Sequence, residues 1–147
     1  MSGKKRIVSL IAAIIILLGL IFTFSNMNSY QTNSKSKHII KLVVTKVNPN
    51  LSEDDANKLV KKLNFPFRKL MHFSEYLVLT ALIIYLLKYL NLSKKDIVIA
   101  ALLICFSLAT FDEIHQLLIG RTGRFLDVFI DTLGGLVSCL IYKYKNK

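Results

Sequence analysis

Apolar residues run almost unbroken over four stretches of the chain, about residues 7–24, 70–90, 97–119 and 125–142, with polar and charged residues gathered between them. Each stretch is close to the ~20 residues that a helix needs to cross the hydrocarbon core of a bilayer. The pattern predicts an all-α membrane protein with four transmembrane helices. The first run, Ile7 to Phe24, follows Lys4, Lys5 and Arg6. A cleaved signal peptide shares such a charged start but has a shorter core and a small-residue cleavage site. Thr23 and Ser25 match that site poorly, so the run reads as an uncleaved first helix. The third run is apolar only from Ile97 to Phe111, which is short for a crossing. It must therefore continue through Asp112, Glu113, His115 and Gln116 to Ile119, with Gly120 as its stop. Those polar residues then lie inside a span.

Residues 25–67 read as one outer loop. It begins polar, SNMNSYQTNS, and then shows helical periodicity twice. Ile39, Ile40, Val43, Val44 and Val47 share one helical face, with Lys37 and Lys41 opposite, until Asn48-Pro49 breaks the pattern. Ser52 then suits an N-cap, followed by Glu53, Asp54 and Asp55, acids that favour a helix N-terminus. Ala56, Leu59, Val60 and Leu63 make the second apolar face. Both segments are expected to be amphipathic surface helices, with Lys58, Lys61 and Lys62 towards water or headgroups. At the other side of the second span, Ser93 is expected to cap the third helix, with Asp96 at the third helical position.

Composition agrees with a membrane protein: 53% of residues are hydrophobic and the mean hydropathy is +0.48. The chain of 147 residues reads as a single membrane domain. Its net charge of +11 comes mostly from lysine flanking the apolar runs, which points to anionic phospholipid or an envelope polymer as partner. No nucleic-acid motif accompanies these residues, so nucleic acid is not an expected partner. The three cations before the first run place the N-terminus in the cytoplasm, and an even number of spans returns the C-terminus, with Lys143, Lys145 and Lys147, to the same side. The loop lysines pull against this orientation; the first helix usually dominates. Cys105 and Cys139 both fall in apolar runs and read as small hydrophobes rather than a disulfide.

This topology brings the charged motifs to one depth. Arg68, Lys69, His72, Glu75 and Tyr76 head the second span, Asp112 to Gln116 end the third, and Arg121, Arg124, Asp127 and Asp131 head the fourth. Within each helix they share faces: His72, Glu75 and Tyr76; Asp112, His115 and Gln116; Arg124, Asp127 and Asp131. Gly134 and Ser138 continue the last face as a small-xxx-small pair for close packing. Ionisable groups inside a membrane span are costly and mark functional sites.

The motifs HFSEY after Arg68-Lys69, then DEIHQ, then GRTGRFLDVFIDTLGG, together with FTFSN at the end of the first span, resemble the VanZ-like family of small membrane proteins. The resemblance covers about residues 21–141. It implies a bacterial multi-pass protein of the cell membrane, because the family is named for a protein that confers low-level resistance to the glycopeptide teicoplanin. It carries the family's motif positions onto Ser25, Arg68, Lys69, His72, Glu75, Tyr76, Asp112, Glu113, Gln116, Gly120, Arg121, Arg124, Asp127, Asp131 and Gly134. Ile119 departs from the family, in which many relatives place proline before the Gly-Arg pair.

Three readings of the cluster stand side by side. Arginine forks can hold the carboxylates and fix the register of a bundle. Arg68, Arg121 and Arg124, helped by helix N-termini, can instead meet the phosphate or carboxylate of an anionic lipid or cell-wall precursor. Alternatively, His72 and Glu75 with Asp112 or Asp127 can hold a divalent metal that activates water, making a metal-dependent membrane enzyme. The spacing matches no metal motif, HExxH and GxSxG are absent, and no cofactor is indicated. A transporter is disfavoured because no charge lies in the inner half of any span and no inverted repeat is visible. The catalytic residues, if any, and the oligomeric state are not defined by sequence.

Overall fold

A computed structural model describes residues 3–120 and 124–145. Five α-helices account for nearly all of them: α1 (Gly3–Asn26), α2 (Ser29–Val47), α3 (Glu53–Leu87), α4 (Lys94–Leu118) and α5 (Phe125–Lys145). Four helical stretches, Gly3–Asn26, Glu53–Leu90, Lys94–Leu118 and Phe125–Lys145, are long and apolar enough to cross a membrane.

The ends of these helices follow from local chemistry. Asn28 caps α2 by accepting a hydrogen bond from the Gln31 N–H at 2.8 Å. Ser52 and Ser93 precede α3 and α4; each accepts from the backbone N–H three residues on, Asp55 and Asp96, at 3.2 Å. Each also donates its hydroxyl to that same aspartate, closing a reciprocal cap. A short 3₁₀ turn, Lys88–Leu90, follows α3 and ends at Asn91, whose φ of 52° is left-handed. Gly120 ends α4 with φ 76°, a conformation that costs a residue without a Cβ little.

α3 departs from the sequence reading. A surface helix over 53–63 and a separate span from residue 70 were expected, yet one helix runs from Glu53 to Leu87 with Pro66 inside it. Proline inside a helix removes the hydrogen bond of its own nitrogen and crowds the carbonyl four residues back, yet the helical conformation carries through Pro66.

The chain divides into two compact units, residues 27–71 and residues 1–26 with 72–147. In the first unit, Ile40 and Val44 of α2 pack with Ala56 and Val60 of α3, flanked by Leu51 and Phe67. A polar ladder joins the same two helices: Ser36 Oγ donates to Asn64 Oδ1 at 2.6 Å, and Asn64 Nδ2 donates to Asn33 Oδ1 at 2.9 Å. Ile39, Val43 and Val47, placed on one face with Ile40 and Val44, remain exposed.

The second unit buries polar residues beside an apolar core that includes Ile21, Tyr76, Leu79, Ile84 and Ile97. Its buried stripe on α4 is Ile97, Ala101, Cys105, Ala109, Asp112, Glu113 and Gln116, and that on α5 is Asp127, Val128, Asp131, Gly134, Gly135, Ser138 and Cys139. Large apolar side chains such as Leu103, Phe106, Phe129 and Leu133 point outward. Small residues at the helix contacts and large apolar side chains on the outer faces suit a solvent of lipid tails, where close packing and interhelical hydrogen bonds hold the helices together. Both cysteines are free and buried.

Candidate functional site

The polar residues meet because of how α3, α4 and α5 are registered. The pairs Glu113 with Arg124, Cys105 with Asp131, and Val98 with Cys139 show that α4 and α5 run antiparallel. The end of one helix therefore lies beside the start of the next. α3 runs alongside α5 in the same direction: a Cβ at Gly134 would collide with the backbone carbonyl of Phe73, and Ser138 Oγ donates to the Leu77 carbonyl at 2.7 Å. Gly135 makes room in turn for the side chains of Cys105 and Thr80. These small residues fix both the depth and the rotation of α5. As a result, Asp131, one turn before Gly134, comes to His72, next to Phe73.

His72 Nδ1 lies 3.4 Å from Asp131 Oδ1, and Asp131 is fully buried. Neither oxygen of Asp131 makes a hydrogen bond among the described residues. Ligating atoms of His72, Glu113 and Asp131 all lie within 4.8 Å of one another. Gln116 Nε2 donates to Asp112 Oδ2 at 2.9 Å and to Glu113 Oε1 at 3.2 Å. The backbone N–H of Arg124 donates to Glu113 Oε2 at 2.7 Å. Glu113 is thus held from two sides, while Asp112 keeps one buried oxygen, Oδ1, without a hydrogen bond among the described residues. Tyr76 and Asp127 are buried as well, and half-buried Glu75 lies near enough to interact electrostatically with His72. Phe22 of α1 packs edge-on against His115 and Phe111 of α4, each at 5.8 Å between ring centres.

Of the cations read together with these acids, Arg68, Lys69 and Arg124 are described. Arg68 belongs to the unit of residues 27–71, where its Nη1 donates to Asn33 Oδ1 at 3.3 Å. Lys69 of the same unit has its ammonium 5.2 Å from the centre of the Phe65 ring. Arg124 is exposed and reaches Glu113 through its backbone rather than its guanidinium. Arg121 lies outside the described residues. Among the described residues, Asp112, Glu113 and Asp131 are met by Gln116, the Arg124 N–H and His72, and by no guanidinium. The pairing of His72 with Glu113 and Asp131 was not visible in the sequence, because the three residues come from three helices.

The unit of residues 27–71 holds a separate open groove of about 480 Å³. Lys37, Lys41, Lys58 and Lys61 line it, with His38 and Asp54. Two of its lysines are engaged at the surface, Lys41 with Glu53 at 3.2 Å and Lys58 with Asp55 at 3.3 Å.

Four candidate spans and an acid-rich cluster where three of their helices meet define a multi-pass membrane protein with a polar site built into its packed helices. The model of the VanZ/LLP1 family matches residues 10–146, nearly the whole chain, and the protein belongs to that family. No curated protein and no solved structure matches the chain.

Proposed function

We propose that this protein resides in the bacterial cell membrane and modulates the susceptibility of the envelope to glycopeptide antibiotics such as teicoplanin. It does so through a polar outer-face site that recognises an anionic envelope component or lipid-linked ligand. The observation that carries this reading is the gathering of the motif residues Tyr76, Asp112, Glu113, Gln116, Asp127 and Asp131 in the buried part of one unit. Ionisable groups are expensive there and persist where they have work to do. Exposed Arg124 stands at the start of α5 beside Arg121 in the sequence, and a helix N-terminus favours a phosphate or carboxylate. Lys4, Lys5 and Arg6 hold the N-terminus in the cytoplasm, as do Lys143, Lys145 and Lys147 the C-terminus. The cluster then faces outward, where glycopeptides act. The lysine groove of residues 27–71 adds attraction for anionic headgroups.

A second reading is a metal-dependent membrane enzyme acting on a lipid-linked or cell-wall substrate. It is favoured by one observation, the convergence of His72, Glu113 and Asp131. The first reading is tested by teicoplanin susceptibility of a Gram-positive host expressing wild type, Arg121→Ala or Asp131→Asn at matched membrane levels. Protection by wild type alone is expected. Full protection by both variants contradicts the site, and no protection by any of the three withdraws the antibiotic role.

A further inference from the structure

We infer that His72, Glu113 and Asp131 form a binding site for a divalent metal cation of the zinc or manganese class. This deepens the second reading above and rests on it for what the ion does, though not for the binding itself.

The geometry of the His72–Asp131 pair comes first. A charge-assisted hydrogen bond between an imidazole and a carboxylate draws the atoms to about 2.7–2.9 Å. The observed 3.4 Å is too long for that, and neither Asp131 oxygen makes any other hydrogen bond among the described residues. Donor atoms about 2.1 Å from a tetrahedral metal sit roughly 3.4 Å from each other. The separation of His72 Nδ1 and Asp131 Oδ1 therefore suits two ligands of one ion better than a direct pair.

The environment of Asp131 is the second, independent observation. Its side chain is fully buried, and its oxygens lie within 4.8 Å of ligand atoms of His72 and Glu113. A carboxylate in that position without a donor costs several kcal/mol unless a cation meets it. Charge balance agrees: a neutral imidazole and two carboxylates cancel a divalent ion, leaving a neutral centre in a low-dielectric bundle.

The third ligand is already oriented. Gln116 and the Arg124 N–H each hold one oxygen of Glu113, the kind of support that fixes a metal-binding carboxylate. The side chain of His72 is 21% exposed, so an ion has a way in. A histidine with two carboxylates suits zinc or manganese, and three protein ligands leave coordination positions open for water or an anionic oxygen. One ligand per helix also explains why no metal motif shows in the sequence.

The test uses the full chain in detergent micelles, stripped with a chelator and titrated with Zn²⁺ against a chromophoric chelator. Thermal unfolding is followed in parallel by a thiol-reactive dye, which reads the exposure of Cys105 and Cys139. Wild type is expected to take up a single saturable equivalent and to melt higher with zinc. Asp131→Asn and His72→Gln are expected to lose both effects. A wild type with no saturable equivalent overturns the site whatever the variants do. Retention of the equivalent and of the melting shift by Asp131→Asn and His72→Gln does so too. Zinc binding without any effect on antibiotic susceptibility keeps the metal site and removes the antibiotic role; the converse result removes the metal site alone.

Discussion

The two compact units each have an apolar core, and they differ in the polar residues buried beside it. In residues 27–71, Ile40, Val44, Ala56 and Val60 are inside and the lysines outside, the arrangement that water imposes on an amphipathic helix pair. In residues 1–26 and 72–147, aspartate, glutamate, glutamine, serine and glycine are buried together with Ile21, Leu79, Ile84 and Ile97, and many other large apolar side chains face out. Apolar content does not distinguish the units, since both expose apolar side chains. The contrast in what each encloses does: the second unit buries carboxylates beside its aliphatic core. Its interior is organised by close backbone approach and polar contacts, and this is where Tyr76, Asp112, Glu113, Gln116, Asp127 and Asp131 gather.

The contrast can be broken most severely at Gly134. A side chain there meets the Phe73 carbonyl, which has no free rotor to yield, so Gly134→Val is expected to destabilise the second unit by about 3 kcal/mol or more. The thiol-dye melting temperature of the purified protein measures this, and an unchanged value contradicts the close α3–α5 approach. Leu103, 62% exposed in the middle of α4, tests the solvent directly. Leu103→Arg is expected to cost about 2.5–3.5 kcal/mol of membrane insertion, seen as loss of the alkali-resistant membrane fraction. Val47, 78% exposed at the end of α2, supplies the matching probe in the other unit. Val47→Lys is expected to change stability by less than about 0.5 kcal/mol. Equal costs at Leu103 and Val47 contradict the idea that the two units answer to different solvents.

That four helices are long and apolar enough to span a membrane was legible in the sequence, because hydropathy and helix length are local properties. Ser93 and Gly120 marked helix ends for the same reason: capping depends on the next few residues. The continuity of α3 was not legible. Lys58, Lys61 and Lys62 look like part of a separate surface segment, whereas one helix runs from Glu53 to Leu87 through Pro66. For the cluster, spacing placed His72 with Glu75 on one face, and Asp112 with Gln116 on another. It could not state which histidine meets which acid across helices. That choice depends on the rotation of α5, set by Gly134 against Phe73 and by Gly135 against Cys105 and Thr80. The sequence did carry one further sign of this packing: Ala101, Cys105 and Ala109 repeat every four residues, a stripe of small side chains leading to Asp112. The placement of Arg68 was likewise illegible, since its partner Asn33 lies 35 positions away in the chain.

The most direct test of the central claim sets the two units against each other in one assay. Teicoplanin susceptibility is compared for hosts expressing wild type, Asp131→Asn, or the double variant Lys58→Gln with Lys61→Gln, at matched membrane levels. The account predicts that Asp131→Asn loses protection while the lysine variant keeps most of it. Full protection by Asp131→Asn together with loss in the lysine variant would contradict it, and would move the site to the groove of residues 27–71.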